Sequence, residues 1–213
     1  MLCSMTTPAR EDDDDVLEFW YDHASTYSYP VVMKVEAAAA ARGLRVAWRP
    51  FLLGPIFEAL LGFADSPFNK NPVRGRYMWR DLERICAADG LPFRIPSVMP
   101  RNSTLSARIA LVGVDEGWVG PFSRAVFEAN FAHDRDIGDA DVLGAILGGL
   151  GHDGAAVIAR AIGPDHKPRL RAATAEATRR GIFGSPTFFR RGEMFFGGDR
   201  LAQAVAWPTP VPM

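Results

Sequence analysis

The β-forming segments of this chain stand near its two ends, and a long helix-forming stretch separates them. That arrangement excludes any fold whose sheet is assembled from consecutive strands alone. Val16 to Tyr21 (VLEFWY) is short, aromatic and bounded by Asp22, so it reads as a buried strand. Ser28 to Arg42 (SYPVVMKVEAAAAAR) predicts a helix closed by Gly43, and Leu44 to Phe51 (LRVAWRPF) predicts a second strand. Strand, helix, strand in this order is a βαβ unit, which places two parallel strands in one sheet with a right-handed crossover. The turn after the first strand then lies at a carboxyl end, where α/β folds keep their ligands.

From Pro72 to about Gly181 the pattern is helical, in five segments: YMWRDLERICAADG, STLSARIALVGVDEGW, PFSRAVFEANFAHD, DADVLGAILGGLG and HKPRLRAATAEATRRG. In the first of these, Met78, Leu82, Ile85 and Cys86 share one face while Arg80, Asp81, Glu83 and Arg84 share the other, which makes Cys86 a core residue. The β signal returns in PTFFRRGEMFF. Thr187 to Arg190 and Glu193 to Phe196 are joined at Arg191 and Gly192, a hairpin pattern, and a short helix from Asp199 to Ala206 follows with Asp199 as its cap. The expected organisation is an acidic leader (1–15), a two-part α/β domain (16–55 and 181–207, with the helix near 165–180), a helical insertion (56–164) and a proline-rich tail (208–213).

Composition narrows the function. With 24 basic and 25 acidic residues the 213-residue chain has a net charge of −1, so it carries no basic field for a nucleic-acid backbone. No run approaches the roughly 18 apolar residues of a membrane span. Neither nucleic acid nor membrane is an expected partner. The leader MLCSMTTPAREDDDD has no apolar core or cleavage pattern, and Cys3 and Cys86 are far apart, so a cytoplasmic protein without disulfides is expected. His23, His133, His152 and His166 are scattered, and no metal site is expected.

Three segments carry candidate chemistry. DHASTYSY (Asp22 to Tyr29) puts Ser25 and Ser28 three residues apart at a strand-to-helix turn, either as N-caps or as hydroxyls facing a ligand. GIFGSPTFF (Gly181 to Phe189) opens a strand with Ser185-Pro186, which suggests an edge position or a cis bond in a tight turn. FFGGDR (Phe195 to Arg200) brings two glycines, which allow close approach to backbone, next to Asp199.

Taken together these segments resemble the 2-hydroxychromene-2-carboxylate isomerase family, a thioredoxin-like fold of the DsbA type related to kappa-class glutathione transferases. The resemblance runs from Leu17 to Trp207. It includes WRPFLLGPIF (Trp48 to Phe57), SPFN with YMWRDLER (Ser66 to Arg84) and PRNS (Pro100 to Ser103). It implies a thioredoxin-like α/β fold with a large all-helical insertion, glutathione as cofactor, an aromatic 2-oxo acid substrate and a homodimer. By resemblance Ser25 holds the glutathione sulfur, Ser185 and Pro186 meet its cysteinyl part, and Gly198 and Asp199 meet its γ-glutamyl amine. Arg74 stands where the family has a lysine and would bind a carboxylate of glutathione or substrate. Asn69, with Ala64 and Asp65, is a candidate for the family asparagine. Thr26 replaces the usual proline after the catalytic serine, and His23 stands where an aromatic residue is frequent.

Where dithiol relatives carry C-x-x-C this chain has Ser25-Thr26-Tyr27-Ser28, and a hydroxyl cannot exchange with a disulfide. The implied activity is therefore glutathione-dependent cis/trans isomerisation, by reversible thiolate addition, of 2-hydroxychromene-2-carboxylate-type ring-fission products to trans-o-hydroxybenzylidenepyruvate. A kappa-class-like glutathione transferase or peroxidase and a non-catalytic thioredoxin-like binding module remain as alternatives.

Overall fold

The computed structural model describes residues 15–208. Cys3, most of the acidic leader and the end of the proline-rich tail lie outside the described residues. Of the leader's acids Asp15 is described, and it accepts two hydrogen bonds from Arg45, at 3.0 and 3.2 Å.

Four strands, β1 (Val16–Tyr21), β2 (Arg45–Pro50), β3 (Thr187–Arg190) and β4 (Glu193–Phe196), form a sheet in the order β2-β1-β3-β4. β1 pairs in parallel with β2 and antiparallel with β3. The near-continuous apolar run of β1 follows from this central place, since both of its faces are covered. Leu17, Phe19 and Tyr21 face one core with Val31, Val35, Phe122 and Phe127, while Trp20 faces the other with Phe51, Ile56, Ala177 and Phe189. Phe19 is fully buried, with the rings of Tyr21, Trp48 and Phe188 at 5.0, 5.3 and 5.6 Å. Truncating such a side chain to alanine costs about 3–5 kcal/mol. The β3–β4 hairpin turns where its sequence predicts: Arg191 and Gly192 both have positive φ (51° and 82°), the two-residue turn that matches strand twist.

The first crossover departs from the sequence expectation. Instead of one helix from Ser28 to Arg42 there is a 3-10 turn (Thr26–Ser28), a short helix α1 (Tyr29–Val32) and a second, α2 (Val35–Ala40). The break falls after the β-branched pair Val31 and Val32, which is poorly suited to a helix interior, and Lys34 leaves the helical region with φ −127°. Gly43 still makes the exit, at φ 68°.

The helical stretch holds α3 (Leu53–Leu61), α4 (Pro67–Lys70), α5 (Pro72–Ala88), α6 (Thr104–Glu116), α7 (Val119–Phe131), α8 (Ala140–Gly149), α9 (Gly154–Ile162) and α10 (His166–Arg179); α11 (Leu201–Ala206) closes the fold. On α5 the predicted core face is buried at Met78, Leu82 and Cys86. The Cys86 thiol is pushed up to about 11 by burial. The sequence did not separate α9. Its first residue, Gly154, reads as a breaker, but a Cβ there would lie 2.8 Å from the carbonyl oxygen of Gly144, so the glycine serves the close packing of α9 on α8. No helix among the described residues is long and apolar enough to cross a membrane.

Candidate active site

The last residue of β1, Tyr21, is followed by Asp22, His23 and Ala24, and the chain then turns at Ser25 into the 3-10 turn. Ser25 occupies the N-cap position of that turn and Ser28 that of α1, yet neither side chain caps. Both reach across to the residue before β3. Ser25 Oγ donates to the Ser185 carbonyl at 2.8 Å, and Ser28 Oγ lies 2.8 Å from Ser185 Oγ, which also accepts from the Asp22 backbone N–H at 3.1 Å. All three serines are buried, Ser28 completely and Ser25 and Ser185 with 7% and 8% exposure. Of the two possibilities for Ser185-Pro186 the peptide bond is cis, and β3 is an inner strand.

The third segment joins them. The Gly197 N–H donates to the Pro186 carbonyl at 2.9 Å, and a Cβ on Gly198 would meet Val31 at 2.9 Å and the Tyr27 carbonyl at 3.6 Å. Asp199 does not cap the last helix as its sequence predicts. The positive φ of Gly197 (103°) turns the chain into a 3-10 turn, Gly198–Arg200, before α11, and leaves the Asp199 side chain 73% exposed, 3.6 Å from Arg200. Ser25, Ser28, Ser185, Pro186 and Gly198, distant in sequence, are thus one cluster with an exposed carboxylate at its rim.

The helical stretch supplies the opposite wall. Thr26 Oγ1 donates to Met78 Sδ at 3.3 Å, and Tyr27 Oη donates to Asp81 at 3.2 Å. Burial, reinforced by Asp81, pushes the Tyr27 phenol above its ordinary range. Arg74 is exposed one helical turn before Met78, on the same face of α5, with its backbone N–H on the Asn71 cap at 3.1 Å. Asn69 is exposed and donates to Asp65 (2.8 Å) and to the Met99 carbonyl (2.7 Å), which fastens α4 to the 99–103 loop.

Two neighbouring residues at the end of β1 meet different partners. Asp22, in the sequence only a strand boundary, is 4% exposed and accepts from Ala24 N (2.9 Å), Ser103 Oγ (2.6 Å) and Leu53 N (2.8 Å). Burial pushes its carboxyl up, and those three donors oppose the shift. Nothing local in the sequence marks Asp22, because two of the donors come from other elements. His23 turns away from Ser25 into the core. It lies 3.3 Å from Ser123 Oγ among the rings of Tyr21, Phe122 and Phe127, and burial holds it down at about 3.

Comparison with known proteins agrees with this fold. The DsbA-like thioredoxin domain matches residues 16–206. A 2-hydroxychromene-2-carboxylate isomerase from Sphingobium xenophagum is 27% identical over 187 residues, 87% of this chain and 93% of that protein. Among solved structures, a 2-hydroxychromene-2-carboxylate isomerase superposes with a TM-score of 0.79 at 23% identity, covering 88% of this chain and 91% of the other. The cytosolic disulfide reductase DsbM from Pseudomonas aeruginosa gives 0.64 at 20% identity, with 90% and 94% covered. The relatives are thus isomerases and oxidoreductases on one scaffold. With its matched span reaching from the first strand to the last helix, this chain belongs to the DsbA-like thioredoxin domain family.

Proposed function

We propose that this protein is a glutathione-dependent cis/trans isomerase acting on 2-hydroxychromene-2-carboxylate-type ring-fission products. The observation that carries the reading is the Ser25 hydroxyl, which is turned away from its own helix and held at the Ser185 carbonyl beside cis Pro186. A redox role for these residues is disfavoured by their chemistry, since Ser25 and Ser28 stand where a dithiol would be needed and Cys86 is buried on α5.

The residues fit the tripeptide. Ser25 can donate to a sulfur anion once its hydroxyl is released from the Ser185 carbonyl, and a hydrogen bond to a charged acceptor is worth roughly 1.5–3 kcal/mol, or about one to two pKa units of thiol acidity. The Ser185 carbonyl, relieved of that hydroxyl, accepts from a peptide N–H. Asp199 at the rim presents an exposed carboxylate to an ammonium group. Glutathione, when bound, supplies the thiolate whose reversible addition to a conjugated double bond permits its rotation. Arg74, at the start of α5, orients the carboxylate of the aromatic 2-oxo acid. Thr26, tied to Met78, fixes the distance between that arginine and Ser25.

Calorimetric titration with glutathione, repeated on Ser25→Ala, tests the reading alongside the isomerase assay. Saturable binding by the wild type with loss of turnover in Ser25→Ala supports it; no binding by the wild type sinks it. Arg74→Ala separates isomerisation from simple conjugation. It should raise the KM for the carboxylate substrate by about tenfold, the weight of one charge-assisted bond, and leave conjugation of a neutral electrophile within twofold. Equal losses in both assays would assign Arg74 to glutathione.

A further inference from the structure

Ser103 stands at the N-cap position of α6 but, like Ser25 and Ser28, does not cap its helix. Its hydroxyl is directed at Asp22, 81 positions away in sequence, at 2.6 Å. Leu53, the first residue of α3, directs its N–H at the other oxygen of the same carboxylate. Through its backbone Asp22 also holds the two halves of the site: its carbonyl accepts from Ser25 N at 2.9 Å, and its N–H donates to Ser185 Oγ. One buried residue therefore binds the start of α3, the start of α6, the Ser25 turn and the residue before the cis proline.

We propose that Asp22 is the positioning residue of this site, and that Ser103 sets it from the helical side, so that the placement of α6 is transmitted to the Ser25 hydroxyl. The chemistry requires such a link. Arg74 and the rest of the substrate wall lie in the helical stretch, whereas Ser25 and Ser185 lie at the sheet, and a misplacement of about 1 Å between them costs on the order of a hundredfold in rate. A carboxylate accepting three donors is rigid in the way such a joint needs, and burial strengthens each bond. The inference rests on the glutathione reading for its kinetic consequence, though not for its geometry.

The test compares Ser103→Ala, Ser103→Thr and Ser106→Ala in the full-length protein. Ser106 is a fully buried serine of the same turn whose hydroxyl bonds to the Ser103 carbonyl at 3.0 Å and makes no contact with Asp22. Ser103→Ala should lower kcat about tenfold and leave the KM of the chromene carboxylate within twofold, as expected when a bond to a charged group is lost outside the substrate contacts. Ser103→Thr, which keeps the hydroxyl, should restore kcat to within threefold of the wild type. Ser106→Ala should lower the unfolding temperature as much as Ser103→Ala and leave kcat unchanged. Equal kcat losses in Ser103→Ala and Ser106→Ala would overturn the proposal, as would a wild-type kcat in Ser103→Ala. Amide hydrogen exchange gives a second arm that needs no ligand: the Ala24 and Ser25 amides should exchange about tenfold faster in Ser103→Ala than in Ser106→Ala, and equal protection overturns the link. A wild type that fails to bind glutathione removes the isomerase reading alone, because the exchange arm still decides the role of Asp22.

Discussion

Two polar clusters flank the carboxyl end of β1, and neighbouring residues belong to different ones. The Asp22 side chain faces α3 and the start of α6, while His23 faces α7; the turn that opens at Asp22 separates them. Around Asp22 each carboxylate oxygen has a donor, and the hydroxyls of Ser25, Ser28 and Ser185 connect to one another or to backbone. Around His23 the satisfaction is incomplete. Tyr21 Oη and Ser123 Oγ are 2.7 Å apart and Asn130 donates weakly to the His23 carbonyl at 3.4 Å, but His23 Nδ1 and Asn130 Oδ1 have no partner among the described residues. The first cluster is built to hold positions, and the second interrupts an aromatic core. Mutations on the two sides should therefore separate activity from stability.

The largest effect is expected at Ser25. Ser25→Ala removes the hydroxyl that the proposed function assigns to the glutathione sulfur, and losses of one preorganised donor run to about a hundredfold in kcat. The buried Ser185 carbonyl loses that hydroxyl as a partner, so unfolding by denaturant should shift by about 0.5–1.5 kcal/mol, the net weight of one hydrogen bond. A large stability loss with intact turnover would reverse the assignment of this side.

Ser123→Ala should do the opposite. It strips the Tyr21 phenol of its partner within the core, and an orphaned buried hydroxyl costs about 1–3 kcal/mol. At roughly 2–4 °C per kcal/mol for a chain of this size, the unfolding temperature should drop by about 2–12 °C, while kcat stays within twofold. A thermal melt and a turnover assay on the same preparation check both halves. Loss of turnover without loss of stability would mean that the His23 side communicates with the reacting groups.

How much of this contrast could be read from sequence depends on where the partners come from. The face of α5 with Met78, Leu82 and Cys86 was legible, because a helix announces its buried side through spacing. The Arg191-Gly192 turn was legible for a similar reason, since a two-residue hairpin loop favours a glycine where φ is positive. Ser25 and Ser185 stood out through motif context, although the choice of Ser25 and Ser28 between capping and reaching across to Ser185 did not. Asp22 was invisible, since Leu53 and Ser103 reach it only after the helical stretch has folded onto the sheet. The Gly154 start of α9 was missed because it depends on close packing against α8 rather than on local preference.

The effect that best isolates the second cluster is on acid stability. His23 titrates at about 3 in the folded protein because burial disfavours its charged form, against 6.5 as the ordinary value. Between those values the unfolded chain binds a proton that the folded one does not, so the contribution of His23 is fully present above about pH 6.5 and is lost as pH falls toward 3. Asp15, Asp115, Glu116 and Asp134, all held below their ordinary range, lose stability in the same direction, but only near and below pH 4. Asp22 has the opposite sign: its raised carboxyl favours the folded state in acid, and that contribution disappears as pH rises through its folded value. The difference between wild type and His23→Gln cancels all of these. Wild-type stability relative to His23→Gln should fall by up to about 1.4 kcal/mol per pH unit between pH 6 and pH 4.5, the slope of one proton, and be flat above pH 7.5. Chemical denaturation across that range reads the difference directly. A flat difference throughout would mean that His23 takes its proton inside the folded core. The two clusters would then differ in function but not in their tolerance of charge.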